Sequence, residues 1–320
     1  MSVLAEGVDR QPTARVIALR PSAGRHAAVG RSPEVVGLGP DVDEPVHPGA
    51  TGRHADVPVP TQAPGTGARS LVRELEDLAE QMHAHGALPS LRVDLRELLA
   101  AWAAALVRLH RTPLTPTTPV AELPWVLTEP LPDWLDALPG DTGLVWAVRA
   151  HPGIRRAVDE TRRSWLTVQW VHGDPTGDEV VVTRTRGSVR AVLVGAERDT
   201  PDGPLPPARN GRSGCGDPRW DVATALDWLA LALGPALDPA WHLDPVATFA
   251  HQYRELGGDA LPSRATAVAR TLASAVEWTA QLTLDREPTD DERAWLSGLW
   301  SRPLELVGRT RTAPAATRRS

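Results

Sequence analysis

The stretch Trp170-Val171-His172-Gly173-Asp174-Pro175-Thr176-Gly177-Asp178-Glu179-Val180-Val181-Val182 decides how the rest of the chain is read. An apolar approach, a His-Gly-Asp turn and a β-branched run directly after it describe a loop between buried elements, with the Asp174 carboxylate at its tip. A carboxylate so held is placed to serve as a general base. Downstream, Gly216-Asp217-Pro218-Arg219-Trp220-Asp221-Val222-Ala223 opens a helix.

Between these two stretches, Glu179 to Thr183 and Val189 to Val194 read as strands around an Arg186-Gly187-Ser188 turn. The segment from Gly195 to Gly216 is irregular and longer than ordinary connections in compact domains. After it come helices expected over Asp221 to Leu233, Pro245 to Leu256, Ser263 to Leu284 and Asp290 to Leu299, then an Arg-rich tail from Gly308.

Upstream, Leu71, Leu75, Leu78 and Met82 repeat at helical spacing, with Ser70 able to cap and Gly86 beyond the end. Asp94 and Glu97 form a capping-box pattern ahead of Leu95, Leu98, Leu99, Trp102, Leu106 and Leu109. That helix should be a core element ending near His110. Residues 113 to 133 form a Pro-rich connector, followed by short helical pieces at Trp134 to Leu138 and Leu144 to Ala150 and a helix from Ile154 to Leu166. Residues 1 to 68 offer only two strand-like runs, Arg15 to Leu19 and Val35 to Leu38; from Pro40 to Gly67 the composition is that of loop or disorder.

Composition narrows the function. The 320 residues carry a net charge of -6, which argues against a nucleic-acid binder. No apolar run is long enough to span a bilayer and the first residues lack a signal-like core, so no membrane role and a cytoplasmic location are expected. The single cysteine, Cys215, cannot form an internal disulfide. There is no lysine, so no Schiff base and no Walker-type phosphate lysine is available. Twelve tryptophans against one Phe and one Tyr fit a GC-rich codon bias, and the indoles read mainly as core.

In this order the motifs resemble the carboxyl-terminal lobe of the aminoglycoside phosphotransferase and choline-kinase-like family. The correspondence runs through Leu109-His110-Arg111-Thr112-Pro113, His172-Gly173-Asp174, the strands near 180 and 190, Gly216-Asp217-Pro218 through Asp221, and Tyr253-Arg254-Glu255-Leu256-Gly257-Gly258. It covers about residues 88 to 300. The resemblance implies an α+β, protein-kinase-like fold: a reduced amino-terminal lobe over 1-87, a mainly helical phosphotransferase-like lobe over 88-307, and a tail over 308-320. For an active member it also implies ATP and Mg²⁺ as cofactors, Asp174 as base with His172 beside it, and a small hydroxylated metabolite or peptide as substrate. The GC-rich composition makes secondary metabolism a natural setting.

The chain departs from that pattern at three places. The family's second-metal Asn corresponds to Glu179, which with its neighbour Asp178 offers carboxylate oxygen instead. The family's metal-bridging Asp corresponds to Val194, leaving Glu197, Asp199 or Asp202 as substitutes. The nucleotide-binding lysine is absent, with only arginines such as Arg15 or Arg20 to replace it. The expectation is a degenerate member acting as a pseudokinase, a scaffold or binding subunit for a protein partner.

Simpler roles for the same residues stand beside these. His172 and Asp174 can form a retained hydrogen-bonded loop. Asp217 and Asp221 read as structural acids, Asp221 as a helix-start carboxylate or a brace for the His-Gly-Asp loop. Gly211 to Gly216 reads as flexible loop in preference to a phosphate cradle. A hydrolytic metal site from His172, Asp174, Asp178 and Glu179 finds no ligand spacing on a helix to support it.

Overall fold

The computed structural model describes residues 68–132, 135, 148–185, 187–194, 213–283 and 287–308. The runs near 15 and 35, the segment 40–67, Arg15, Arg20, Glu197, Asp199, Asp202, most of the pieces at 134–138 and 144–150, and the tail beyond Gly308 lie outside them. The described protein is a mixed α and β structure in which helices dominate.

Among the described residues, five strands form two small antiparallel sheets. In the first, β1 (Ala68–Ser70), β3 (Val180–Thr185) and β4 (Ser188–Leu193) lie in the order β1-β3-β4. The β3–β4 hairpin pairs Val180 with Leu193 and Thr185 with Ser188 across Gly187, whose φ of 82° closes the turn. In the second, β2 (Gln169–Val171) pairs with β5 (Gly214–Gly216), and Val120 bridges in parallel to Cys215.

Helices α1 (Leu71–His85) and α2 (Pro89–His110) fill the chain between β1 and the Pro-rich connector, so no strand occurs between Ser70 and His110. Ser70 caps α1, accepting from Arg73 N, and Gly86 follows its end with φ 78°. Helix α2 begins five residues before the Asp94 signal. Pro89 is its first residue, where the missing N–H costs nothing and the fixed φ suits a helix. Asp94 is therefore inside the helix, not its cap.

The remaining helices are α3 (Pro152–Arg163), α4 (Pro218–Trp228), α5 (Pro245–Glu255), α6 (Arg264–Thr283) and α7 (Asp290–Gly308). Helix α3 stops at Arg163, short of Leu166. Helix α4 starts three residues ahead of Asp221 because Asp217 is its cap, and it widens into a π-helical turn over Leu229–Leu233. Helix α7 runs on past Leu299 through Pro303, and Thr289 and Glu292 close a reciprocal capping box at its start. None of the described helices is long and apolar enough to cross a membrane.

The segment expected as flexible loop at Gly211–Gly216 is, over its last three residues, strand β5. Glycine is required there by close approach: a Cβ on Gly214 would lie 2.4 Å from the Pro119 carbonyl oxygen, and one on Gly216 would lie 2.7 Å from Val171 Cγ2. These glycines let three backbone segments pack side by side.

Two apolar clusters meet at α4. One gathers Leu71, Met82, Leu98, Trp102, Val180, Leu229 and Phe249 from α1, α2, β3, the α4 extension and α5. The other joins Ile154, Val158, Leu272, Val276, Leu299 and Trp300 from α3, α6 and α7. Helix α4 contributes Val222, Ala225 and Trp228 to the first and Trp220 to the second. Most of its residues are buried, the polar Asp221, Thr224 and Asp227 among them, and it sits under the His172–Asp174 loop.

Candidate functional site

The site is assembled around Asp221, one turn into α4 and fully buried. Its carboxylate accepts from His172 N at 2.7 Å, Gly173 N at 2.8 Å and His110 Nε2 at 3.2 Å. Burying a carboxylate is costly unless its lone pairs are satisfied, and here three donors converge on it. Two of them are consecutive backbone N–H groups, so Asp221 holds the loop by its backbone. Gly173 adopts φ 87° between them, a conformation that suits glycine.

His110 passes this anchor on to α5. Its Nδ1 lies 2.9 Å from the Tyr253 hydroxyl. Because Asp221 can only accept, His110 Nε2 carries the proton, and Nδ1 accepts from the tyrosine O–H. Burial pushes the Tyr253 phenol up, Asp259 and Asp221 add to the rise, and the hydroxyl stays a donor. Helices α2, α4 and α5 are thus tied to one loop through Tyr253, His110 and Asp221.

His172 is itself used twice. Its Nδ1 accepts from Asp174 N at 3.3 Å, which leaves Nε2–H to donate to the Val194 carbonyl at 3.2 Å. Its own carbonyl accepts from Ser213 Oγ. The imidazole therefore links the loop to the end of the hairpin, with both ring nitrogens on backbone groups.

At that end, Val194 N donates to the Glu179 carbonyl at 2.8 Å, extending the hairpin register by one pair. Glu179 and Val194, two of the three places where the chain departs from the pattern it resembles, are thus cross-strand neighbours. Glu179 closes the short 3-10 turn Gly177–Glu179 that also contains Asp178. Val194 supplies an aliphatic side chain with no ligating atom. Among the described residues, no three His, Cys, Asp or Glu side chains group so that they could hold a metal ion.

Asp217 lies outside the loop and shapes its approach. It caps α4, accepts from Leu166 N at 3.0 Å, and pairs with Arg219, whose other terminal contact is to the Ser164 carbonyl. Hydrogen bonding to Asp217 raises the Arg219 pKa, with burial acting against it. The chain leaving α3 for β2 is fastened to the start of α4 by this pair.

The residue that sequence reasoning missed is Arg270 on α6. It is 6% exposed, yet its guanidinium reaches Asp174 Oδ1 at 3.7 Å and Glu277 Oε2 at 3.0 Å, and stacks over Trp220 with Cζ 5.7 Å from the ring centroid. Glu277 also accepts from Trp125 Nε1 at 2.9 Å. Burial works against the charge of Arg270, but Glu277, Asp174 and Asp227 outweigh it and raise the guanidinium's pKa. Its Nε is buried without a hydrogen-bond partner. The available signal was a single arginine in the run Val268-Ala269-Arg270-Thr271-Leu272-Ala273, on a face otherwise suited to burial.

Asp174 itself sits at the rim, its side chain 27% exposed. No family model matches the chain, and no curated protein matches it in sequence.

Proposed function

We propose that the protein is a degenerate phosphotransferase of the kinase-like kind, a pseudokinase that works as a scaffold or binding subunit. The observation that carries this reading is the pairing of Val194 with Glu179 beside an intact His172–Asp174 loop. The loop keeps its anchors, Asp221, His110 and Tyr253, while the position across from it supplies an isopropyl group where a phosphate-bridging metal needs an oxygen ligand. These residues do not fit a Mg²⁺–nucleotide pair.

Arg270 supports the same conclusion from the other side. Its guanidinium lies 3.7 Å from Asp174 Oδ1 and 3.0 Å from Glu277 Oε2, so the Asp174 carboxylate is tied into the packing of α6 as well as into the loop. Between β1 and α2 lies the single helix α1 and no strand, so the chain there does not supply the multi-stranded nucleotide lobe that an active enzyme of this kind uses.

The test is phosphate release or transfer from Mg²⁺–ATP by the wild type and by Asp174→Asn. On this reading both stay at the buffer background. Turnover by the wild type that disappears in Asp174→Asn would replace it with an active enzyme using Asp174 as base on a small hydroxylated metabolite or peptide.

A further inference from the structure

Away from the loop, α3 carries an unusual concentration of positive charge. Arg155, Arg156, Arg162 and Arg163 lie on its twelve residues, and Arg149 precedes it. The whole chain has a net charge of -6, so this helix stands out against the general field. A shallow cavity of about 370 Å³ runs along it, lined by Ala150, Pro152, Arg155, Arg156, Asp159 and Arg163.

Asp159 and Glu160 on the same helix offset two of its four arginines and leave a net charge of +2. Arg162 takes both Glu129, at 2.7 Å, and Asp159, at 3.6 Å. Arg163 donates through Nε to the Asp159 backbone carbonyl only. Arg155, Arg156 and Arg163 make no ion pair to any described carboxylate, and Arg155 and Arg156 are exposed. Burial, Arg162 and Arg155 lower the pKa of Arg149, with Glu129 opposing them. Like charges are crowded here, and an incoming anion relieves that repulsion.

The first turn of α3 is not the binding element. Gly153 N is taken by the His151 side chain, and Ile154 N and Arg155 N donate to the His151 carbonyl. Recognition falls to guanidinium groups spaced along the helix. From Pro152 to Arg163 the stripe is about 16 Å long at 1.5 Å per residue. That suits an extended run of about five acidic residues better than one compact anion.

We propose that the arginine stripe on α3 is a docking surface for an acidic peptide segment of a protein partner. The placement of Arg155, Arg156 and Arg163 around one cavity does not depend on the kinase-like reading, so it stands or falls separately.

The test is fluorescence anisotropy of labelled hexaglutamate titrated with the full chain at low and high salt. Saturable binding that weakens with salt is expected, with a loss of about tenfold or more in Arg155→Glu/Arg156→Glu. Arg73→Glu/Arg254→Glu changes the net charge equally elsewhere and should bind as the wild type does. The milder Arg155→Gln/Arg156→Gln serves if the reversal fails to fold by circular dichroism. No saturable binding, or an equal loss in both double variants, overturns the proposal. So does stronger binding to phosphatidylserine vesicles or to a single-stranded oligonucleotide than to the peptide.

Discussion

Arg270 brings its guanidinium to within 3.7 Å of Asp174 from a position on α6 that is only 6% exposed. It is also paired with Glu277 at 3.0 Å and laid over Trp220. Arg270→Leu removes the cation that pairs with both Asp174 and Glu277. Both carboxylates retain some exposure, so the expected loss is about 2–3 kcal/mol, below the cost of stranding a fully buried charge. Arg270→Lys keeps the charge but not the planar fork or the stacking, and should lose about half as much. Urea unfolding midpoints measure both, and a wild-type midpoint for Arg270→Leu would contradict the pairing.

Asp221 holds the loop through two backbone N–H groups and His110. Asp221→Ala leaves these donors buried and unmet, and should cost about 3–5 kcal/mol. Asp221→Asn retains one accepting oxygen but turns an NH₂ toward a donor, so it should lose stability as well, by a smaller amount. Hydrogen exchange at the His172 and Gly173 amides reads the anchor directly: both should be among the slow amides of the wild type and exchange faster in Asp221→Asn.

Tyr253 gives a pH dependence with a defined sign. Its folded-state pKa is raised, chiefly by burial. Above the ordinary phenol value of about 10 the unfolded chain loses this proton while the folded protein keeps it, so the folded state binds more protons and stability falls with rising pH. The contribution is fully present below about pH 10 and is lost on the way to the folded pKa. Tyr253→Phe should remove this part of the alkaline slope and cost about 1 kcal/mol at neutral pH through the lost bond to His110. Urea titrations of both proteins at neutral and alkaline pH compare the slopes, and identical slopes would show that the phenol is not linked.

The local part of this structure was legible in the sequence. Ser70 and Gly86 bound α1 because cap chemistry acts within a few residues, and the β3–β4 hairpin followed from β-branched runs on either side of Gly187. Asp94 misled because a capping pattern inside a helix has the same letters as one at its start, and Pro89 determined the outcome. Gly214 and Gly216 read as loop because their reasons are neighbours distant in sequence, the Pro119 and Ala121 backbone for the first and the Val171 side chain for the second. Arg270 is the clearest limit. Its helical spacing suits burial, its charge opposes it, and only the fold brings Glu277, Asp174 and Trp220 around it.

On the proposed reading, the His172–Asp174 loop survives beside a nucleotide and metal site that no longer functions. Thermal unfolding with ATP, in the presence and absence of Mg²⁺, tests it most directly. A working site at a hundredfold excess over its Kd would add about 2.7 kcal/mol, a shift of several degrees in a chain of this size. The account predicts a shift of less than about 1 °C that is the same with and without Mg²⁺. A rise of several degrees that requires Mg²⁺ would contradict it.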